Sequence, residues 1–100
     1  MWGRKKKATA SARHILVASE EQCAVLKLEL ENGADFADLA KRHSSCPSAQ
    51  KGGDLGKFRE RQMVKEFNDV VFIAALQQVH GPVKTQFGYH LIEIMDRSKV

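Results

Sequence analysis

Histidine and cysteine are the residue types in this sequence best suited to acid–base, nucleophilic or metal chemistry. His43 and Cys46 lie in one short polar segment, residues 43–58, which also contains three glycines. His14 and His90 lie beside apolar residues in two distant segments of the chain. Because loops held by a rigid framework concentrate binding groups, we interpret segment 43–58 as one wall of a site. The two distant histidines are candidates for another wall.

A metal site, a cysteine hydrolase site and a phosphate-binding loop each fit these residues poorly. A structural zinc site shows paired close spacings of Cys and His, whereas only His43 and Cys46 are close here, which argues against a metal. A cysteine hydrolase needs an orienting third group and an oxyanion hole beside its thiol and imidazole, and the sequence has no signature for either. The glycine-rich run at 52–56 is not followed by Lys-Ser/Thr, so it is not a phosphate-binding loop. Each histidine taken alone is more often a structural residue.

Composition indicates one small globular domain. The chain has 100 residues, 43% hydrophobic and 28% charged, which is enough for a single core and unlike a disordered chain. Its net charge of +4 comes from a basic run, Arg4, Lys5, Lys6 and Lys7. The rest of the chain is neutral, which favours a solvated tail over a nucleic-acid-binding face. We expect a flexible tail at 1–10, a domain at 11–97 and a short end at 98–100.

Cysteine content and hydropathy suggest a compartment. Cys23 and Cys46 could form one bridge at most, fewer than a secreted domain of this size usually needs. No apolar run reaches the length of a signal-peptide core or a membrane span. We therefore expect free thiols, a cytoplasmic location and no membrane association. No pattern indicates an interface between subunits, so we expect a monomer.

The hydrophobic pattern predicts short strands and amphipathic helices in an α+β arrangement. Ser19 opens a capping box that starts a helix, and Pro47 prevents simple continuation of the next one. In the last predicted strand, alternation places His90, Ile92 and Ile94 on one face. Helices between strands that need not be parallel favour packing on a small sheet. The predicted elements are a strand at 11–17, helices starting at Ser19 and Asp35, a short helical turn at 48–50, a strand at 54–58, a helix at 64–74 closed off by Gly81-Pro82, and strands at 83–84 and 88–95.

Six short motifs follow one another along the chain, and their order and spacing extend over nearly all of it. They are His14-Ile15-Leu16-Val17, Asn32-Gly33-Ala34-Asp35-Phe36 with Leu39-Ala40, Gly52-Gly53-Asp54-Leu55-Gly56, Gln62-Met63 with Phe67, Gly81-Pro82-Val83, and Phe87-Gly88-Tyr89-His90. From about Arg13 to Arg97 the chain therefore resembles the parvulin family of peptidyl-prolyl cis-trans isomerases, nearest to its small, single-domain bacterial members. The resemblance implies an α+β fold in which a four-stranded antiparallel sheet is surrounded by four helices, in the order β-ααα-β-α-β-β.

The resemblance also implies roles for individual residues. It places His14 and His90 as a hydrogen-bonded pair beneath the active site, with Thr85 bonded to the pair. Cys46 falls where the family has cysteine or aspartate facing the isomerising bond. Because aspartate cannot readily act as the same nucleophile, we favour a polarity-tuning role for Cys46 over covalent catalysis. The residues implied to form the proline pocket and its edges are Met63, Phe67, Leu55, Gln62 and Phe87.

The sequence departs from the family pattern in several places. Lys65-Glu66 stands where a proline often precedes the pocket phenylalanine, and Arg61 where many members have glycine. Ser45 stands where phospho-specific members have an acidic residue, and the Val17–Ser19 connection lacks their basic residues. No charge is available there to pair with a phosphate. We therefore expect substrates with uncharged residues before the proline.

The function implied by the resemblance is catalysis of rotation about X–Pro bonds, which assists protein folding. This rotation faces a barrier of about 18–20 kcal/mol. A dry apolar site favours the twisted, less polar amide over the planar one, so we expect a non-covalent mechanism with no cofactor or metal. The partners would be proline-containing peptides and unfolded or folding proteins. The alternative is a chaperone-like binding module that holds such segments with weak or no catalysis.

Overall fold

Four strands form one antiparallel sheet, and helical segments pack on both of its faces. The computed structural model describes residues 8–98, so the basic run at 4–7 lies outside the described residues. The elements, in chain order, are β1 (Thr9–Val17), α1 (Glu20–Glu31), α2 (Phe36–His43), a 3-10 helix (Pro47–Lys51), β2 (Asp54–Arg59), α3 (Lys65–Ile73), β3 (Val79–Thr85) and β4 (Gly88–Ser98). The strand order across the sheet is β2-β1-β4-β3, and neighbouring strands are antiparallel. The predicted α+β class and sheet are confirmed, and the third of the four expected helical segments is a 3-10 helix.

Alternation along the central strands divides the buried side chains between the two faces of the sheet. On the first face, Ile15 of β1 and Leu91 of β4 pack against α1 and α2. On the second face, Ile92 of β4 packs against α3. His14 adjoins Ile15 in sequence and His90 adjoins Leu91, so both imidazoles belong to the second face. The sheet therefore places two histidines under the helix that packs on this face.

Side-chain caps fix where the first two helices begin. The Ser19 hydroxyl accepts a hydrogen bond from the Gln22 N–H at 3.0 Å, and the Asp35 carboxylate accepts one from the Asp38 N–H at 2.9 Å. Each cap satisfies an N–H that the helix itself leaves unpaired. Pro47 then opens the 3-10 helix, where its fixed φ and missing N–H are tolerated. These starts agree with the sequence predictions.

The strands extend beyond the hydrophobic runs that predicted them. β1 begins at Thr9, where it pairs with both neighbouring strands, so the folded domain starts within the segment 1–10 that we assigned to a tail. β3 begins at Val79 rather than at 83, and Gly81-Pro82 lies inside this strand instead of closing a helix. Proline is tolerated there because β3 is an edge strand. The regular pairing with β4 is interrupted between positions 80 and 83.

Cys23 is a core residue. Its side chain is fully buried between α1 and the sheet, and burial raises the pKa of its thiol to about 11. A neutral thiol of this kind packs as a small apolar side chain. Cys23 therefore contributes to the framework, and Cys46 is the cysteine available to a site.

Candidate active site

Two neighbouring strands bring His14 and His90 together. In the pairing of β1 with β4, His90 lies opposite Leu16 and His14 lies opposite Ile92, so both imidazoles project from the same face of the sheet. Their Nδ1 atoms are 3.0 Å apart, which is a hydrogen-bond distance. The two rings are nearly parallel, with centroids 5.1 Å apart and planes inclined at 19°. The structure thus places the two predicted histidines in direct contact.

Thr85 extends this pair into a chain of hydrogen bonds. Its hydroxyl oxygen lies 2.7 Å from Nε2 of His90 and accepts a hydrogen bond from the Phe87 N–H at 3.1 Å. In one proton arrangement His90 donates from Nδ1 to His14 and accepts from the Thr85 hydroxyl. In the other, His14 donates to Nδ1 of His90, which donates from Nε2 to Thr85. Both arrangements leave one proton on each ring and no net charge.

Burial keeps both imidazoles neutral near pH 7. The two residues are 5% and 3% exposed. Burial, and to a smaller extent the neighbouring His90, lower the pKa of His14 from 6.5 to about 4. Burial also lowers the pKa of His90. Because the charged form of a buried imidazole loses its hydration, the neutral pair is the stable form.

An apolar cavity of about 420 Å³ is bordered by the histidine pair. This volume lies within the range of about 300–1,000 Å³ that small-molecule pockets span. Phe67 of α3 forms one wall, and its ring centroid lies 5.4 Å from the centroid of each imidazole, with the planes at 82° and 79°. Such edge-to-face contacts are favourable for aromatic rings. The site therefore has an aromatic wall packed directly on a neutral polar pair.

Gly53 holds the polar segment 43–58 against β1. Its carbonyl oxygen accepts a hydrogen bond from the His14 N–H at 2.9 Å. Its φ is +88°, and a Cβ at this position would lie 2.4 Å from the carbonyl oxygen of His14. Glycine alone adopts this φ freely and permits this approach. The sharp turn predicted at Gly52-Gly53 thus sets the distance between the strand that carries His14 and the loop that carries Cys46.

Cys46 lies in the wall of the same cavity, immediately before the 3-10 helix, and is half-buried. Among residues 8–98, its thiol makes no hydrogen bond to either imidazole of the pair, whose bonds go to each other and to Thr85. A cysteine nucleophile is typically activated by a base within hydrogen-bond reach. The geometry therefore does not provide the thiol–imidazole pair of a cysteine hydrolase.

The sequence matches one family over almost its whole length. Residues 1–98 match the PPIC-type PPIASE domain. The chain belongs to this family of peptidyl-prolyl isomerase domains. Its curated relatives include the foldase protein PrsA of Geobacillus sp. (strain WCH70), 47% identical over 89 residues, and that of Bacillus subtilis (strain 168), 46% identical over 88 residues. These alignments cover 88% and 87% of this chain but 32% and 30% of the relatives, so the chain spans about a third of their length.

Solved structures share the fold of this PPIC-type domain. The peptidylprolyl isomerase PrsA from Bacillus anthracis matches with a TM-score of 0.90 at 36% identity, covering 94% of this chain and 44% of that one. NmPin, the parvulin of Nitrosopumilus maritimus, matches with a TM-score of 0.80 at 34% identity, covering 93% of this chain and 100% of that one. The resemblance to parvulins that the sequence motifs indicated is confirmed.

Most of the residues predicted for the site of the PPIC-type domain line its cavity. Leu55 of β2, Met63 and Phe67 do so together with Cys46 and the two histidines. Phe87 also lines the cavity and is 60% exposed. It lies at the tip of the short turn between β3 and β4, whose last paired residues are 85 and 88. The structure thus brings together residues from β1, β2, α3 and β4 and from three of the segments that connect elements.

Two of the predicted site residues, Thr85 and Gln62, do not line the cavity. Thr85 lies behind it, bonded to His90. The side-chain oxygen of Gln62 accepts a hydrogen bond from the Arg59 N–H, so Gln62 closes the turn between β2 and α3. Sequence reasoning missed four lining residues, Leu16, Ser45, Pro47 and Val64. Leu16 could have been found, because it follows His14 by two positions and therefore projects from the same face of β1.

Proposed function

We propose that this domain catalyses cis–trans isomerisation of X–Pro bonds, with the proline ring of the substrate in the cavity beside the histidine pair. The proposed clients are proline-containing segments of folding proteins. The observation that carries the proposal is the junction of an apolar cavity of about 420 Å³ with a buried, neutral imidazole pair. Relatives named as foldases and as a peptidylprolyl isomerase support the same activity.

The cavity suits a proline ring in shape and polarity. Met63 presents a flexible thioether and Phe67 a flat ring, and both can pack against an aliphatic five-membered ring. Isomerisation passes through a twisted state in which amide resonance is lost, at a cost of about 18–20 kcal/mol in water. The twisted amide carries less charge on its carbonyl oxygen than the planar one. A water-poor apolar environment therefore stabilises the transition state relative to the ground state.

The neutral histidine pair gives the cavity a polar edge without a charge. A cation beside the substrate carbonyl would stabilise the planar, charge-separated amide more than the twisted one, and so would oppose catalysis. Because burial and His90 hold the pKa of His14 at about 4, the pair avoids this effect at physiological pH. Thr85 fixes the ring of His90 by a 2.7 Å hydrogen bond. We infer that the pair shapes the cavity and does not exchange a proton with the substrate.

Cys46 adjusts the polarity of the cavity wall and forms no bond to the substrate. Rotation about a C–N bond requires no covalent intermediate, and the thiol lies in a wall without an activating imidazole. We expect Cys46→Ser to keep a measurable fraction of the isomerase activity. Total loss of activity in a folded Cys46→Ser variant, together with a substrate adduct on the wild-type thiol by mass spectrometry, would establish covalent catalysis instead.

The connection between β1 and α1 offers no cation to a phosphate. Ala18 and Ser19 alone separate the two elements, and neither side chain can pair with a phosphate through charge. We propose that substrates with uncharged residues before the proline are accepted and that phosphorylation gives no advantage. A protease-free assay comparing Ala-Pro, Glu-Pro and phosphoSer-Pro peptides tests this. A strong preference for either acidic peptide would show that a cation elsewhere reaches this position.

A binding module without catalysis is the alternative function. Phe87, which is 60% exposed beside the cavity, is an apolar group available to an extended segment that passes over the proline site. This exposure favours binding of unfolded chains in addition to isomerisation. It does not supply a reason for the buried, neutral histidine pair, which the isomerase mechanism uses.

Exchange NMR separates catalysis from binding. An Ala-Pro peptide interconverts in roughly tens to hundreds of seconds unaided, so a short mixing time shows no cis–trans cross-peaks. We expect substoichiometric protein to produce these cross-peaks. Shifts of the peptide resonances without cross-peaks would support the binding module. Neither shifts nor cross-peaks would contradict both functions.

The subcellular location, the oligomeric state and the role of the basic tail stay predictions. We propose a reducing, cytoplasmic compartment on the ground that Cys23 and Cys46 are both unpaired thiols. Over residues 8–98, none of the helices has the length and apolar character needed to cross a bilayer. Sedimentation tests the predicted monomer. Salt-dependent DNA binding, with and without Arg4–Lys7, tests the prediction that the tail does not serve nucleic acid.

A further inference from the structure

We propose that Ser44 is a positioning residue for the isomerase site. Its hydroxyl oxygen accepts hydrogen bonds from the backbone of β1 and from the backbone of Cys46. It thereby sets where the thiol lies in the cavity wall. This inference rests on the proposed isomerase function. It concerns a side chain that neither the sequence motifs nor the cavity lining identifies.

The first observation is an interruption of strand pairing along one edge of β1. β2 pairs with β1 only as far as Arg13, which lies opposite Asp54. Beyond it, the His14 N–H is taken by the Gly53 carbonyl oxygen. The Leu16 N–H, next on that edge, donates to Oγ of Ser44 at 3.0 Å. A serine side chain thus provides the acceptor that a strand would otherwise supply.

The second observation is that the same oxygen reaches Cys46. The Cys46 N–H lies 3.4 Å from Oγ of Ser44 and donates to it. Ser45, which lies between Ser44 and Cys46, donates its N–H to the Leu16 carbonyl oxygen at 2.8 Å. Residues 44 and 45 therefore bind both backbone groups of Leu16. Ser44 also ends α2, because its own N–H donates to the Ala40 carbonyl oxygen at 3.0 Å.

These contacts connect the two halves of the site. Leu16 lies opposite His90 in the pairing of β1 with β4, and both residues line the cavity with Cys46. One hydroxyl oxygen therefore ties the loop that carries the thiol to the strand that adjoins the histidine pair. Since a catalytic group must be held close to its productive geometry, loss of this tie should reduce turnover.

Ser48 provides the matched control. Its hydroxyl oxygen is buried and has no hydrogen-bond partner among the described residues, and Ser48 does not line the cavity. Ser48→Ala therefore removes a hydroxyl from the same loop without removing a bond to β1. Ser44→Ala removes the only acceptor that the described residues offer to the Leu16 N–H. Ser44→Thr keeps an oxygen at the same position.

The test measures kcat and KM for an Ala-Pro peptide in the wild type and these three variants. We expect Ser44→Ala to lower kcat by about tenfold, less than the roughly 100-fold that a full misplacement of 1 Å can cost. KM should change by less than about twofold, because the apolar walls that bind the ring remain. Ser44→Thr should recover most of the loss, and Ser48→Ala should match the wild type. Equal kcat in Ser44→Ala and Ser48→Ala would overturn the proposal.

A double-mutant cycle shows whether Ser44 acts through the thiol. If it does, Ser44→Ala should have little further effect on kcat in a Cys46→Ser background, because coupled residues are not additive. Losses that multiply would show that Ser44 has only a general structural role. Should Ser44→Ala fail to fold, Ser44→Thr and Ser44→Val, which differ mainly in the oxygen, replace it in the same comparison.

Amide hydrogen exchange makes the test independent of activity. The Leu16 N–H should exchange faster in Ser44→Ala than in Ser48→Ala and the wild type, because its acceptor is gone. If the wild type shows this protection but no isomerase activity, the proposed function fails while the role of Ser44 in the loop stands. If the wild type is active and the Leu16 N–H exchanges equally in all variants, the Ser44 assignment fails alone.

Discussion

The neutral histidine pair predicts that the domain loses stability as the pH falls below 6.5. Above this pH, His14 is neutral in both the folded and the unfolded chain. Between 6.5 and about 4, the folded-state pKa of His14, the unfolded chain binds a proton that the folded chain does not. The free energy of unfolding therefore decreases by about 1.4 kcal/mol per pH unit in this window, or about 3 kcal/mol across it. Burial lowers the pKa of His90 as well, so its contribution has the same sign.

Urea unfolding at pH 7 and pH 5 measures this effect largely above the range where carboxylates titrate. For the wild type we expect His14 alone to account for a decrease of about 2 kcal/mol between these two values. His14→Gln removes the titrating group and should flatten the dependence by that amount. His43→Gln, at the end of α2 and outside the cavity lining, is the matched histidine control. A pH dependence that is the same in wild type and His14→Gln would contradict the reasoning that His14 is buried in its neutral form.

Two further predictions concern the cavity wall and the turn behind it. Met63→Ala should lower kcat/KM by about fivefold to tenfold, because a half-buried thioether contributes about 1 kcal/mol of apolar contact to the ring. Met95→Ala, outside the lining, should leave kcat/KM unchanged. Equal effects of the two substitutions on kcat/KM would show that the cavity takes no part in the mechanism. Gly53→Ala should lower the free energy of unfolding by about 3 kcal/mol or more, because its Cβ would lie 2.4 Å from the His14 carbonyl oxygen. Gly56→Ala, at φ +71° with nothing within 4 Å of its Cβ, should lower the free energy of unfolding only by the backbone strain of about 1 kcal/mol. If denaturant unfolding shows Gly56→Ala to be as destabilising as Gly53→Ala or more so, the close approach at Gly53 is refuted.

Features that depend on neighbours within a few residues could be predicted from the sequence. The caps at Ser19 and Asp35 formed where the pattern indicated, because the hydroxyl and carboxylate act on an N–H three positions ahead. Alternation also placed His90 and Ile92 on one face of β4. The length of β3 was underestimated, because Gly81-Pro82 is a strong signal against regular structure. An edge strand such as β3 tolerates this pair.

Contacts between distant segments could not be derived from residue patterns. His14 and His90 are 76 positions apart, so their pairing depends on the register of β1 with β4, and only the resemblance to a family indicated it. The same resemblance placed Gln62 at the pocket, whereas its side chain closes a local turn. Ser44 has no sequence signature. Its role depends on the Leu16 N–H of β1, which β2 leaves without a strand partner, and this arrangement exists only once the sheet has formed.

The position of the proline ring in the bound peptide tests the central claim most directly. Isotope-filtered NOE spectra of labelled protein with an unlabelled Ala-Pro peptide report which side chains lie near the ring protons. The cavity predicts NOEs from the pyrrolidine ring to the Met63 methyl group and the Phe67 ring. NOEs confined to the neighbouring groove lined by Gln50 and Lys51, with none to Met63 or Phe67, would contradict it.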